Sequence, residues 1–155
     1  MEQIYQSIIY KNVRRVKAES ITDSEETNYQ KPPKYRKSSS SKQVARDPKI
    51  KDEAIEAANH LCEVNPSHTT FNIDGIQFME GHHLIPFEEQ GKFEKVSLDF
   101  QENIISLCPN CHSEIHYADA SRRIELALSF FELRKDKLSK FINIDAEQIC
   151  AMYAD

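Results

Sequence analysis

No run of about 18 apolar residues occurs in the 155-residue chain, so a membrane-spanning helix is not expected. Apolar residues are scarce overall, at 39% with a mean hydropathy of -0.62, which limits the core and makes a metal staple useful. The opening MEQIYQSIIYKNVRR lacks the basic-then-apolar order and small-residue cleavage site of a signal peptide, and a cytoplasmic protein is the resulting expectation. Excess positive charge is also missing. A formal net charge of -5 argues against a uniformly basic nucleic-acid binder. No internal repeat is visible. With four cysteines and no signal, metal binding or redox chemistry outranks disulfides, and the lack of a βαβ pattern weakens the redox option.

What charge there is lies unevenly. Between Lys31 and Lys51 stand eight Lys/Arg against one acid, Asp47. This is either a solvated basic linker or a DNA-tracking arm, since phosphate attraction acts over a Debye length of ~8–10 Å. Residues 1–20 suit a strand or short helix. From Ile21 to Gln43 the chain turns to Ser, Thr, Glu, Lys and Pro, too poor in apolar residues to pack. Asp47-Pro48 then reads as an N-cap acid followed by proline at the first helical position. Ile50, Ala54, Ala57, Ala58 and Leu61 recur at helical spacing as the core face, with the helix ending near His60.

A hairpin is predicted over Thr69–Met79 around Asp74-Gly75, then a strand carrying His82 and His83 up to Pro86. Phe87–Gln101 reads as a polar loop, Asn103–Leu107 as a strand, and Pro109–Tyr117 as a helix. A longer helix follows with Ile124, Leu128, Phe131 and Leu138 on one face, then a short helix capped by Asp145. Three regions result: an N-terminal arm over 1–46, partly disordered, a core over 47–118, and a helical extension over 119–155.

Two metal sites are expected inside the core. Cys108 and Cys111 form a knuckle that supplies half of a tetrahedral zinc site. Upstream, Cys62 has Asn65 where a second cysteine usually stands, and His68 is the substitute, giving Cys62-x₅-His68 with Cys108-x₂-Cys111. The competing reading makes Cys62 a small buried hydrophobe and His68 a loop residue. Cys150 fits a core thiol. Separately, His112 and His116 lie four apart on a helix and project from one face, so both can chelate one ion. His82 and His83 are adjacent on a strand and point to opposite sides. One of them can bind the ion while the other acts as a base, and a neutral histidine suits that task near pH 7. Asn103 offers an amide oxygen to the base's Nδ1–H. Glu80 is either a partner of a ligand histidine or an exposed strand residue. Arg122 and Arg123 are either phosphate clamps or a solvated helix face.

The pattern HH-x₁₉-N-x₈-H-x₃-H, interleaved with CPNCH, resembles the HNH endonucleases with their ββα-metal (His-Me finger) fold. The match runs from Cys62 to Tyr117. EGHHLIP…SLD…ENIISLCPNCHSEIHY resembles in particular the zinc-containing HNH nucleases of bacterial restriction and defence, and RDPKIKDEAIEAANHLCEVNPSH resembles the helix that often precedes their motif. The resemblance implies an α+β fold, a small ββα-metal core with flanking helices, stapled by zinc and preceded by a disordered or extended arm. It makes His82, His112 and His116 ligands of a catalytic divalent ion (Mg²⁺, Mn²⁺, Ni²⁺ or Zn²⁺), His83 the general base and Asn103 its orienter. It implies hydrolysis of DNA, duplex above all, to 5′-phosphate and 3′-hydroxyl ends.

Arg36, Lys37, Lys42, Arg46, Arg122 and Arg123 are the candidate nucleic-acid contacts. A larger partner such as an ATPase, by analogy with defence systems, and a homodimer for double-strand cleavage are further expectations. Two alternatives stand beside the nuclease: a zinc-stapled module that grips nucleic acid without cutting, and a purely structural zinc subunit. The first leaves His83 and Asn103 without purpose. The second leaves four histidines without a role.

Overall fold

The computed structural model describes residues 32–37 and 42–154; the segment 1–31, including the predicted strand or helix over 1–20, and Ser38–Ser41 lie outside the described residues. The fold is α+β; the described residues form three separate two-stranded antiparallel sheets and four α-helices. Among the described residues no helix is long and apolar enough to cross a membrane.

Part of the predicted linker is folded. Strand β1 (Tyr35–Lys37) pairs with β2 (Lys42–Val44), and Ala45 N–H donates to Lys34 O at 2.6 Å. Backbone pairing ties this element together, a feature that composition does not signal. Helix α1 (Pro48–Ala57) begins as its sequence dictates: Asp47 caps it by accepting from Lys49 N–H, with Pro48 in the first turn. Its buried residues are Ala54 and Ile55, whereas Ala57 is exposed and Ile50 half-buried. The helix leans on one turn near its C-terminal end, so the predicted face is shifted by one residue. Asn59 and His60 then take left-handed backbone (φ 54° and 53°), which halts the helix and turns the chain toward Cys62.

The short hairpin β3 (Asn72–Ile73) and β4 (Ile76–Gln77) closes over Asp74 and Gly75, both at positive φ (51° and 82°), as the two-residue hairpin turn with positive φ at both central positions requires. Strand β5 (Glu80–His83) pairs antiparallel with β6 (Ile104–Leu107), His82 opposite Ile105 and His83 opposite Ile104. Between them the predicted polar loop is structured. A 3₁₀ turn spans Phe87–Lys92, and Phe87, Gln90, Leu98, Asp99 and Phe100 are buried. Gln90 organises it, accepting from Leu98 N–H at 2.8 Å and donating to Phe93 O and Val96 O. A polar side chain thus ties the segment together while Phe87, Leu98 and Phe100 join the hydrophobic core.

Helix α2 (Pro109–Tyr117) follows β6 directly, completing a ββα unit. Helix α3 (Ala120–Leu138) buries Leu126, Ala127, Phe130, Phe131 and Leu138; Ile124 and Leu128 only flank this stripe. Arg134 ties α3 to the ββα unit by donating to Glu102 O at 2.9 Å and pairing with Glu63. Glu63 in turn accepts from Ser106 N–H on β6. Helix α4 (Ala146–Tyr153) opens with a capping box between Asp145 and Gln148 and buries Ile149 and Tyr153 against α3.

Candidate metal centres and active site

The knuckle Cys108-Pro109-Asn110-Cys111 sits at the start of α2, where the strand hands over to the helix. Cys62, His68, Cys108 and Cys111 converge there, with one donor atom from each lying within 4.8 Å of the others. His68 Nδ1 is 3.3 Å from Cys111 Sγ and 3.8 Å from Cys108 Sγ. All three sulfurs are buried and none forms a disulfide. The Cys62 thiol is pulled down to about 4, first by the Cys111 side chain and then by backbone N–H groups at Cys108 and Asn65, against the opposing effect of burial. Cys111 is pushed up, first by the hydrogen bond its thiol makes to that same neighbour, then by burial and by the charge on Cys62. A dication is what allows all three to ionise together, and three thiolates plus one imidazole match the ligand number and softness zinc prefers.

Around the second cluster the strand's alternation does the placing. Glu80 and His82 point to one side of β5, toward α2, while Gly81 and His83 point to the other, as successive residues of a strand must. From α2, His112 and His116 meet His82. His116 Nε2 lies 3.2 Å from His82 Nδ1 and 3.1 Å from His112 Nε2. The outer nitrogens of two of these rings are held. His112 Nδ1 donates to Glu80 Oε2 at 2.6 Å. His82 Nε2 lies 2.8 Å from the Tyr153 hydroxyl, which itself donates to Leu84 O at 2.9 Å and therefore accepts from the imidazole. Both inner nitrogens consequently present lone pairs toward His116.

Such convergence fits a cation: metal–nitrogen bonds of ~2.1 Å place ligand atoms roughly 3–3.4 Å apart. Burial first, and the neighbouring His116 and His112 second, hold His82 down to about 3. His116 is lowered for the same reasons. His82 and His116 are therefore kept neutral and ready to coordinate.

His83 stands apart from this cluster. Its Nε2 lies 3.0 Å from Asp99 Oδ1, and the Asp99 carboxylate is 5% exposed. Asp99 Oδ2 accepts from Asp47 N–H at 2.5 Å, so helix α1 braces the carboxylate from behind. Sequence reasoning gave the orienting role to Asn103, and the structure puts that residue elsewhere. The Asn103 amide accepts from Ile85 N–H at 2.8 Å and donates to Ile85 O and Leu98 O, while its backbone carbonyl receives Leu84 N–H. It clamps the exit of β5 to the loop that carries Asp99, and is fully buried in doing so. Asp99 lies in the SLD segment of the motif, so the signal was present but undifferentiated from surrounding loop. Tyr153 had no signal at all, being 70 residues beyond His83.

Glu80 is a partner of a clustered histidine, the first of its two sequence readings. Arg46 lies with its guanidinium carbon 4.6 Å from the centre of the Phe87 ring, and Phe87 packs 5.3 Å from the His83 ring. The backbones of Arg36, Lys37 and Lys42 lie in the β1–β2 hairpin, and their side chains lie outside the described residues. Arg122 is held by Glu114 at 2.7 Å and Glu125 at 3.0 Å, a clasp between α2 and α3. Arg123 is half-buried, as is Cys150.

Two antiparallel strands and a following helix, with one of a pair of strand histidines meeting two helix histidines, are the features of the ββα-metal class. Residues 68–118 match the family model described as HNH endonuclease, and the chain carries an HNH domain. It is 32% identical over 84 residues to the Type IV methyl-directed restriction enzyme EcoKMcrA of Escherichia coli (strain K12), covering 54% of this chain and 28% of that protein. It is also 50% identical over 36 residues to Anaredoxin of Nostoc sp. (strain PCC 7120), covering 23% of this chain and 40% of the relative. The chain thus spans less than half the length of either relative.

Proposed function

We propose that the chain is a metal-dependent endonuclease that hydrolyses DNA phosphodiester bonds in restriction. One observation carries this reading: beside three histidines that converge on a single point stands a fourth, His83, kept off that point and backed by a buried carboxylate. Neither zinc binding nor folding calls for such a residue. A general base does.

In this mechanism Asp99 accepts the Nε2–H of His83, which fixes the tautomer and leaves the Nδ1 lone pair to take a proton from the attacking water. Asn103 is a positioning residue, holding the end of β5 and the Asp99 loop in register. A divalent ion on His82, His112 and His116 would supply Lewis-acid stabilisation of the charge developing on the phosphate and the leaving 3′ oxygen. In-line attack at phosphorus with departure of that oxygen gives 5′-phosphate and 3′-hydroxyl ends. Glu80 and Tyr153 keep the lone pairs of His112 and His82 aimed inward. The likeness to a restriction enzyme supports DNA as substrate and restriction as setting, within which defence against foreign DNA is the natural role.

The test is plasmid nicking by the wild type, His83→Ala and Asp99→Asn with Mg²⁺, Mn²⁺ or Ni²⁺. Loss of roughly 10²–10⁴-fold in His83→Ala is expected, the usual weight of a general base, with a smaller loss in Asp99→Asn at unchanged DNA affinity. A wild type that leaves plasmid intact with every ion, while still binding DNA, would instead support the non-cleaving module.

A further inference from the structure

Gly81 sits between the two functional faces of β5, and a Cβ there would meet Lys51 Cγ at 2.5 Å and Lys51 Cδ at 3.2 Å. The aliphatic stem of Lys51 therefore lies directly across the strand, on the face that also presents His83 two residues along. Its ammonium is only two bonds beyond the seated carbons. Close to His83 as well, Arg46 lies over Phe87, which itself packs on the His83 ring. Both residues are exposed, and among the described residues neither is paired with a carboxylate. Lys49, on the same helix as Lys51, is paired with Glu53. Asp47, next to Arg46, has its carboxylate turned to cap its own helix.

A long cationic side chain is ordinarily free to wander, and fixing one costs rotamer entropy. Here packing on glycine and on an aromatic face fixes two stems while leaving both charged heads in water. Two cations so held near a candidate base suit the phosphates of one bound strand.

We propose that Lys51 and Arg46 form a phosphate-binding pair that seats the DNA backbone across the His83 face of β5, with Gly81 present to let the Lys51 stem through. This rests on the nuclease reading above and names the residues that position its substrate. The contact is with backbone phosphate, so it adds affinity without sequence preference.

The experiment measures binding of a short DNA duplex by fluorescence anisotropy over a range of KCl concentrations, using the full chain carrying His83→Ala so that nothing is cut. In that background Lys51→Met keeps the stem and removes the charge, and it should lower the slope of log K against log[salt] by about 0.9, one phosphate's worth. Arg46→Met should do the same, and Lys51→Arg should retain the slope. Lys49→Met is the control, with an equal change in net charge on the same helix and no expected change in slope. An unchanged slope in Lys51→Met, or an equal drop in Lys49→Met, overturns the proposal while leaving the nuclease reading intact. Failure of the His83→Ala chain to bind DNA at any salt concentration overturns both.

Discussion

At the scale of the residue, identical side chains acquire different chemistry from where the backbone aims them. His82 and His83 are neighbours in sequence, yet one is buried beside His112 and His116 and the other faces Asp99. Period-two alternation along β5 is the whole cause. The pH response of His82 follows from its burial. Its folded value of about 3 lies below the ordinary 6.5, so between those limits the unfolded chain binds a proton that the folded chain does not. Stability is then full above pH 6.5 and falls as pH drops toward 3, by on the order of a few kcal/mol. Denaturant unfolding of protein dialysed free of exchangeable ions should show this loss between pH 7 and pH 4, reduced in His82→Asn. Equal pH dependence in the two proteins would remove the argument.

At the scale of the element, local signals were legible and long-range partners were not. Asp47-Pro48, Asp74-Gly75 and the Asp145 cap each start or turn an element through bonds made within a few residues, and each stands where the sequence puts it. Helix α4 also looked simple, a short amphipathic segment beyond the motif. Its Tyr153 nevertheless reaches back to hold His82, because packing of α4 on α3 swings its last turn over the end of β5. No local pattern encodes a partner 71 residues away. Tyr153→Phe preserves the packing and removes only the hydroxyl, so it should weaken binding of the exchangeable ion by roughly 10–100-fold, the usual effect of losing a group that orients a ligand. Chelator competition with Mn²⁺ or Ni²⁺ reads this directly. An unaltered ion affinity would show that the hydroxyl serves stability alone.

At the scale of the whole molecule, the two clusters divide the work of a chain with little apolar material. One end of α2 carries Cys108 and Cys111, and His112 and His116 follow within a turn and a half, so a single helix belongs to both sites. A metal held at its N-terminus would therefore set the aim of the histidines further along. Cys108→Ala should release the tightly held zinc and lower the melting temperature substantially, since a structural zinc contributes folding energy outright. Metal analysis after mild dialysis should find that zinc in the wild type and not in the variant. One tightly bound zinc surviving in Cys108→Ala would mean that the fold does not depend on the Cys₃His set.

Much of this protein was determined by the sequence alone. Ligand types and spacings named both clusters, including His68 in place of a second cysteine, because a strand's alternation and a helix's four-residue repeat are local rules that fix which side chains can meet. Tertiary structure decided the rest. It set Asp99, not Asn103, beside His83, turned Asn103 into a clamp on Ile85 and Leu98, and brought Tyr153 and α1 to the two histidines of β5. It also turned the supposed polar loop into a packed segment around Gln90. Those outcomes depend on which distant segments share one small core, and burial, unlike spacing, is a property of the assembled chain.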